Sequence, residues 1–355
     1  MSKSSNNGEK KIMPESVAHP KYPLLFSPLP LGAVTLRNRI VMPPMATCMG
    51  VTSERARLYY AERAKGGVGL VIVEGTVVEH FREPEFKAEA ANLAKAIKAH
   101  GAAAVVQLFK SNHINGEEVG VSESDGLRAA TTAEVASIPG AFAEAARACR
   151  QAGFDGVEVH GAHGFFFNQF FSPRFNRRAD EYGGSLLNRM RLAIETVLAI
   201  RQAVGASFLV FYRHTAVEYV EDGYDLPETL EFARELERAG LNVIDISPSS
   251  APEPAAHAGL AAAVKEVVRI PVIAVGGMSN PVVAERTLRE GRANLAAIGR
   301  GLIADPQWAN KVKEGRKSEI VECIQDNAKC FGNLAQGIPI SCTQNPRAGF
   351  EFHEE

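Results

Sequence analysis

Eight times between residues 39 and 300, a short and continuous apolar run is followed by a stretch of helical period, and this repeat constrains the fold more than any other feature. The runs are RIVMPPM (39–45), VGLVIVEG (68–75), AAAVVQLF (102–109), FDGVEVH (154–160), FLVFYR (208–213), NVIDIS (242–247), PVIAVGG (271–277) and LAAIGR (295–300). Between them lie amphipathic segments such as FKAEAANLAKAIKAH, LPETLEFARELERAG and NPVVAERTLREG. Strands without polar alternation are buried on both faces, which requires a parallel sheet covered by helices. Eight such units closing on themselves predict a (β/α)8 TIM barrel. The rival, a doubly wound sheet, would carry its glycine fingerprint in the first strand-to-helix turn. Here that turn reads PPMATCMG, and the glycine-rich turns VGGMSN and IGRG come last.

The chain has 355 residues and 46% hydrophobic content, enough for one large core or two modest ones. We read one domain, a barrel over residues 21–316, preceded by a polar tail at 1–20 that is expected to be disordered and followed by a cysteine-containing extension at 317–355. A net charge of −2 with no block of Lys or Arg excludes a nucleic-acid surface and an anionic membrane surface. No apolar run approaches the roughly 20 residues that span a bilayer, and the opening MSKSSNNGEKKIMPES lacks the apolar centre of a signal peptide. The expectation is a cytoplasmic homo-oligomer acting on a small molecule.

In a barrel, residues at the carboxyl ends of the strands share one mouth. They are Pro44, Met45 and Ala46; Gly75 and Thr76; Gln107; His160 with His163; Arg213; Gly276 and Gly277; and Gly299 with Arg300. The loops after strands seven and eight commonly hold phosphate, and Gly276, Gly277, Gly299 and Arg300 supply free backbone and one guanidinium there. A tight turn is the competing reading of each glycine taken singly. An amide, an arginine and a phosphate cradle suit a flat heterocycle with a ribityl phosphate, as in FMN: Gln107 for the amide edge of the ring and Arg213 for negative charge on reduction. The competitors are a solvated strand end for Gln107 and a structural ion pair for Arg213. His160 and His163 suit a carbonyl or anion better than a metal, since only Glu158 stands near as a third ligand. In FNRRADEYGGSLLNR, Asn176, Arg177 and Asp180 are read as architectural, fixing a long loop through buried polar pairs.

The ordered series LRNRIVMPPM, YYAERAKGGVGLVIVEGT, GFDGVEVHGAHG, FFSPRFNRRADEYGGSLLNRMR and VGGMSNPVVAERTLREGRANLAAIGRGLIADP resembles the old yellow enzyme family of FMN oxidoreductases. The likeness is to the branch of 2,4-dienoyl-CoA reductase and trimethylamine dehydrogenase, and it covers residues 22–349. It implies FMN contacts at Pro44, Met45, Ala46, Gly75, Gln107, Arg213, Gly277, Gly299 and Arg300, with NAD(P)H as reductant. It further implies that His160 and His163 polarise a substrate carbonyl and that Arg174 meets an anionic substrate. The family's tyrosine proton donor, two residues after the second histidine, is replaced by Phe165, which cannot donate. Three readings follow: alkene reduction with a proton from water or Lys110; chemistry needing no such proton, such as hydride abstraction from an amine, or isomerisation; or a flavin-binding electron-transfer subunit serving a redox partner protein.

The same branch carries a Cys-x2-Cys-x3-Cys-x11-Cys cradle for an iron–sulfur (4Fe-4S) cluster. Here the matching positions are Cys323, Asp326, Cys330 and Cys342. One thiolate is missing, so a cluster would be labile or three-iron, and a vestigial cradle of three thiols is the alternative. Ala46 stands where trimethylamine dehydrogenase attaches its flavin, which excludes that covalent link. Cys149 lies on an apolar helix face and is expected in the core.

Overall fold

The structure, a computed structural model, describes residues 19–124, 126–247 and 254–352. The polar tail anticipated at 1–20 lies outside the described residues except for His19 and Pro20, and the extension is described to Phe352. Eight parallel strands close into a barrel: Ile40–Met42, Leu70–Val77, Ala103–Phe109, Gly156–Gly161, Leu209–His214, Val243–Ile246, Val272–Val275 and Leu295–Ala297. The last pairs with the first, Ala296 opposite Ile40 and Ala297 opposite Val41. Each of the eight apolar runs supplies one strand. The first is shorter than its run because Pro43 and Pro44 have no N–H to extend the ladder. The seventh ends at Val275 because Gly276 and Gly277 turn the chain at φ +106° and +71°.

Sequence-local signals fix the helices between the strands. Ser53 caps Glu54–Lys65 by accepting from the Ala56 N–H, and Thr131 with Glu134 forms a reciprocal capping box at the start of Thr132–Gln151. Asp225 caps Leu226–Arg238, whose second residue is Pro227, a position where a missing N–H costs nothing. The helices bury one face against the outside of the barrel, forming the larger core.

Inside the barrel the smaller core comprises Val41, Leu70, Ile72, Val105, Leu209, Phe211, Val243, Ile273 and Leu295. A hairpin, Leu29–Leu31 against Val34–Leu36, closes the end where the strands begin, adding Leu29, Leu31 and Leu36 to this core. Its turn at Gly32 rests on Leu209, the first residue of the fifth strand. The sequence reading assigned no element there. The interior is therefore dry at the amino end, and polar side chains enter it only near the carboxyl end.

Close approach between neighbouring strands makes one glycine obligatory. A Cβ at Gly161 would sit 2.1 Å from the ring and hydroxyl of Tyr212, which is wholly buried. Gly161→Ala is expected to destabilise the fold by about 1–3 kcal/mol through overpacking. Urea unfolding of the variant beside the parent checks this, and an unchanged midpoint would contradict it.

Candidate active site

Strand alternation decides which side chains enter the mouth. Gln107 and Phe109 share one face of the third strand, Glu158 and His160 one face of the fourth, and Asp245 and Ser247 one face of the sixth strand and its end. Register then brings them together: Gln107 lies opposite Glu158, His160 opposite Arg213, and Arg213 opposite Asp245. Gln107 Nε2 donates to Glu158 Oε1 at 2.8 Å. Arg213 Nη2 donates to Ser247 Oγ at 2.7 Å, while its Nη1 lies 3.4 Å from the Pro44 carbonyl and 3.5 Å from Asp245 Oδ2. His163 Nε2 is 3.0 Å from the same Ser247 hydroxyl.

This floor is buried, and burial sets its ionisation. Burial, then the neighbouring Asp245, pushes the Glu158 carboxyl well above the usual range. Burial raises Asp245 to about 6, with the Arg213 charge opposing the rise. Burial lowers His160 strongly, aided by His163 and Arg213, and brings His163 down to about 3 with help from Arg213. Both histidines are therefore neutral near pH 7. Several buried polar atoms have no hydrogen-bond partner: Glu158 Oε2, both Asp245 oxygens, Arg213 Nε and His160 Nδ1.

Above the floor, His163 and Gly164 adopt left-handed backbone, φ +61° and +76°, which folds the chain back directly after the fourth strand. The turn is held by the His163 N–H on Thr215 Oγ1 and the Gly164 N–H on Asn168 Oδ1. Holding a non-glycine residue there costs on the order of 1 kcal/mol or more. A short helix, Phe166–Phe171, then buries Phe166, Phe167, Phe170 and Phe171 and leaves Phe165, 44% exposed, at the mouth. The His160 ring centroid lies 5.4 Å from that of His163, 5.0 Å from that of Phe165 and 5.8 Å from that of Phe109.

The loop after the first strand carries Pro44, Met45 and Ala46 and is seated by Glu74. That carboxylate accepts from Thr47 N at 2.7 Å, from Thr47 Oγ1 at 2.5 Å and from Tyr60 Oη at 3.3 Å. Gly75 follows, and a Cβ there would come within 3.2 Å of Gln107 Oε1. At the last two strand ends, Gly276, Gly277, Gly299 and Arg300 line a cavity of about 260 Å³ with Cys323 and Gln325. A Cβ at Gly299 would press on Met45 Sδ at 3.3 Å. These positions suit FMN in both parts: unpaired polar atoms in the floor for a heteroaromatic edge, and an open glycine-lined recess for a phosphate.

Other positions fall differently from the sequence reading. Arg174 is exposed, its guanidinium 5.3 Å from the centroid of the Phe175 ring. Asn176 and Asp180 do fix the long loop, through the Phe170 and Tyr182 carbonyls and through Arg178 and Thr132. Arg178 takes the part expected of Arg177, whose side chain is exposed and whose N–H bonds Ser122. Lys110 is not free to serve as a proton source. Its ammonium is held at 2.6 Å by both Glu79 Oε1 and the His113 carbonyl, beside a separate cavity of about 490 Å³. Glu158, Asp245, Ser247 and Glu74 complete the site. A charge in the middle of an apolar strand, as in GVEVH and NVIDIS, was the signal for the first two.

Cys323, Asp326, Cys330 and Cys342 line one small cavity. The Asp326 carboxylate is occupied by the Thr343 hydroxyl at 2.8 Å and the Ala328 N–H at 3.3 Å. Among the described residues no three or more His, Cys, Asp or Glu side chains are grouped to hold a metal ion. The four positions thus do not fit a four-thiolate cluster, because the fourth corner is a carboxylate engaged elsewhere. Cys149 is buried in the core, as expected.

Residues 24–319 match the model of the NADH:flavin oxidoreductase / NADH oxidase family. The chain is 39% identical to an NADH oxidase of Thermoanaerobacter brockii over 93% of its own length and 57% of that protein. It is 35% identical to an NADPH dehydrogenase of Geobacillus sp. (strain WCH70), over 80% of this chain and 92% of the relative. Its backbone superposes on 2-naphthoyl-CoA reductase in complex with 2-naphthoyl-CoA with a TM-score of 0.88 at 28% identity, over 93% of this chain and 58% of that one. The chain thus spans little more than half the length of two of these three proteins.

Neutral buried histidines make stability depend on pH. His163 and His214 both titrate at about 3 in the folded chain, against 6.5 as the ordinary value. Below 6.5 the unfolded chain binds protons that the folded chain refuses, so this stabilisation is complete above 6.5 and is lost as pH falls toward 3. Each group contributes a slope of about 1.4 kcal/mol per pH unit in that window. Glu158 and Asp245, whose acids are raised by burial, pull the other way over the same range, so the check is made on the ring itself: the His163 resonances should not move above pH 4.5. A His163 titration near 6.5 would contradict the neutral pair.

Proposed function

The chain belongs to the NADH:flavin oxidoreductase / NADH oxidase family, and from that premise we propose that it is an FMN-dependent oxidoreductase reducing a small unsaturated carbonyl compound at the expense of NAD(P)H. The observation that carries the reading is the neutral pair His160 and His163, set beside a buried floor of Gln107, Glu158, Arg213 and Asp245 in which the last three keep atoms without a hydrogen-bond partner. Bound there, FMN supplies hydride transfer between nicotinamide and substrate. Pro44, Met45, Ala46, Gly75 and Gln107 would hold its ring, and Gly276, Gly277, Gly299 and Arg300 its phosphate.

The residues of the chain do the rest. A neutral imidazole carries one N–H, which His163 offers to a substrate oxygen from Nδ1 when the Ser247 hydroxyl, itself accepting from Arg213, donates to its Nε2; such bonds withdraw electron density from a conjugated carbon without adding a fixed cation to the pocket. Arg213 supplies the positive charge in the floor and is held in place by Ser247 and Pro44. Phe165 and Phe109 give the mouth an apolar wall for a flat substrate. Neither ring donates a proton and Lys110 is committed to Glu79, so the proton for the α-carbon comes from water, which reaches the half-exposed Phe165. The relatives, an NADH oxidase and an NADPH dehydrogenase, support a pyridine nucleotide as the source of hydride. The same apolar edge favours a second reading, hydride removal from the C–N bond of an amine, which needs no proton donor.

The purified protein is expected to be yellow with FMN and to bleach anaerobically on adding NADH or NADPH. Bleaching by a substituted amine alone would favour the second reading, and bleaching only with an added partner protein would favour an electron-transfer role. Phe165→Tyr should raise alkene reduction by at least ~10²-fold if protonation limits the rate. An unchanged rate would show that the missing hydroxyl is not the limitation.

A further inference from the structure

The geometry points to Asp245 as a positioning residue that sets the redox potential of the site by partly cancelling the charge of Arg213. Asp245 is fully buried in the sixth strand, directly opposite Arg213, with Oδ2 3.5 Å from Nη1. Neither of its oxygens has a hydrogen-bond partner, so it is bonded to neither His160 nor His163. A carboxylate kept in a dry interior with no hydrogen bond serves no evident packing purpose, since Asn would fill the same volume at lower cost. What Asn lacks is the negative charge, and the guanidinium is the cation within reach.

Glu158, on the other side of Arg213, is distinct. Its carboxyl is pushed up by burial and by Asp245, and it accepts from the Gln107 amide. Asp245, raised only to about 6, is the acid that stands as an anion beside the guanidinium at pH 8. A ring that gains electrons over this floor is stabilised by Arg213 and opposed by Asp245. Removing the anion leaves the guanidinium uncompensated and makes reduction easier.

This inference rests on the FMN reading above, and the experiment separates the two. FMN binding by the parent protein is measured first, by its visible spectrum; a parent that takes no FMN fails the earlier reading and this one with it. Given a flavin-loaded parent, midpoint potentials are measured at pH 8 for the parent, Asp245→Asn, Asp245→Glu and Glu158→Gln. Asp245→Asn is expected to favour the reduced form at least tenfold, about 30 mV for a two-electron couple. Asp245→Glu, which keeps the charge, and Glu158→Gln, which leaves Asp245 opposite Arg213, are expected to stay within a few-fold of the parent. An unshifted Asp245→Asn, or an equal shift in Glu158→Gln, would overturn the inference with FMN binding intact. Should Asp245→Asn lose its flavin, Asp245→Glu must keep it; loss in both would mean that the position acts through shape and would also overturn the inference.

Discussion

Three ionisable side chains on three consecutive strands, Glu158, Arg213 and Asp245, are placed where water does not reach, and the rest of the fold is what makes that tolerable. Taking a charge out of water costs several kcal/mol per ion even after relaxation. The cost is contained because strand register, not side-chain flexibility, sets the separations: His160, Arg213 and Asp245 are successive lateral neighbours in a closed sheet. An open sheet with a free edge would let water or slippage relax such an arrangement. A closed barrel has no edge, so the polar ring stays as built.

The two ends of the barrel divide the labour. At the amino end the interior is filled by Leu29, Leu31, Leu36, Leu209 and Val243, and burial there stabilises the fold at roughly 25 cal/mol per Å² of apolar surface removed from water. At the carboxyl end the same inward alternation continues into Gln107, Glu158, His160, Arg213 and Asp245. Stability supplied at the amino end offsets the desolvation and the left-handed His163 at the carboxyl end. The low basicity of the two histidines follows from the same burial, so the feature that costs stability also keeps both imidazoles neutral as hydrogen-bond donors.

Much of this was legible in the sequence, and what was not has physical reasons. All eight strands could be read because strands buried on both faces are continuously apolar, a signal that survives without any tertiary information. The amino-terminal hairpin could not, since LPL and VTL are three-residue strands, one containing Pro30, and nothing local marks them as a plug. The helix Phe166–Phe171 was hidden because six residues are too short a window: Phe166 with Phe170 and Phe167 with Phe171 keep the helical spacing, but one turn and a half does not stand out from a loop. Gln107, His160 and Arg213 were legible as strand ends. The pairing of Arg213 with Asp245 and Ser247 was not, because contact across strands depends on register, and register is a property of the closed sheet. Arg177 was chosen over Arg178 for a similar reason, as the loop and not the local pattern decides which of two adjacent guanidiniums turns inward.

The carboxyl-terminal extension belongs to the site more closely than its sequence position suggests. Its backbone joins the first loop through the Ile340 N–H on the Thr47 carbonyl, and Glu351 pairs with the buried Arg63 of the first barrel helix. Asn327 takes a hydrogen bond from Arg300 at 2.7 Å, and Cys323 and Gln325 wall the glycine-lined recess from outside. Arg300 lines that recess and the cysteine cavity alike. The recess is thus bounded by barrel turns on one side and by residues 323–327 on the other, so its shape is complete only when the extension is packed. Asp326 contributes by tying its own segment to Thr343, a link between two segments of the extension that needs no metal. One guanidinium consequently sits on the boundary between two cavities, bonded to Asn327 of the extension and following directly on the turn at Gly299.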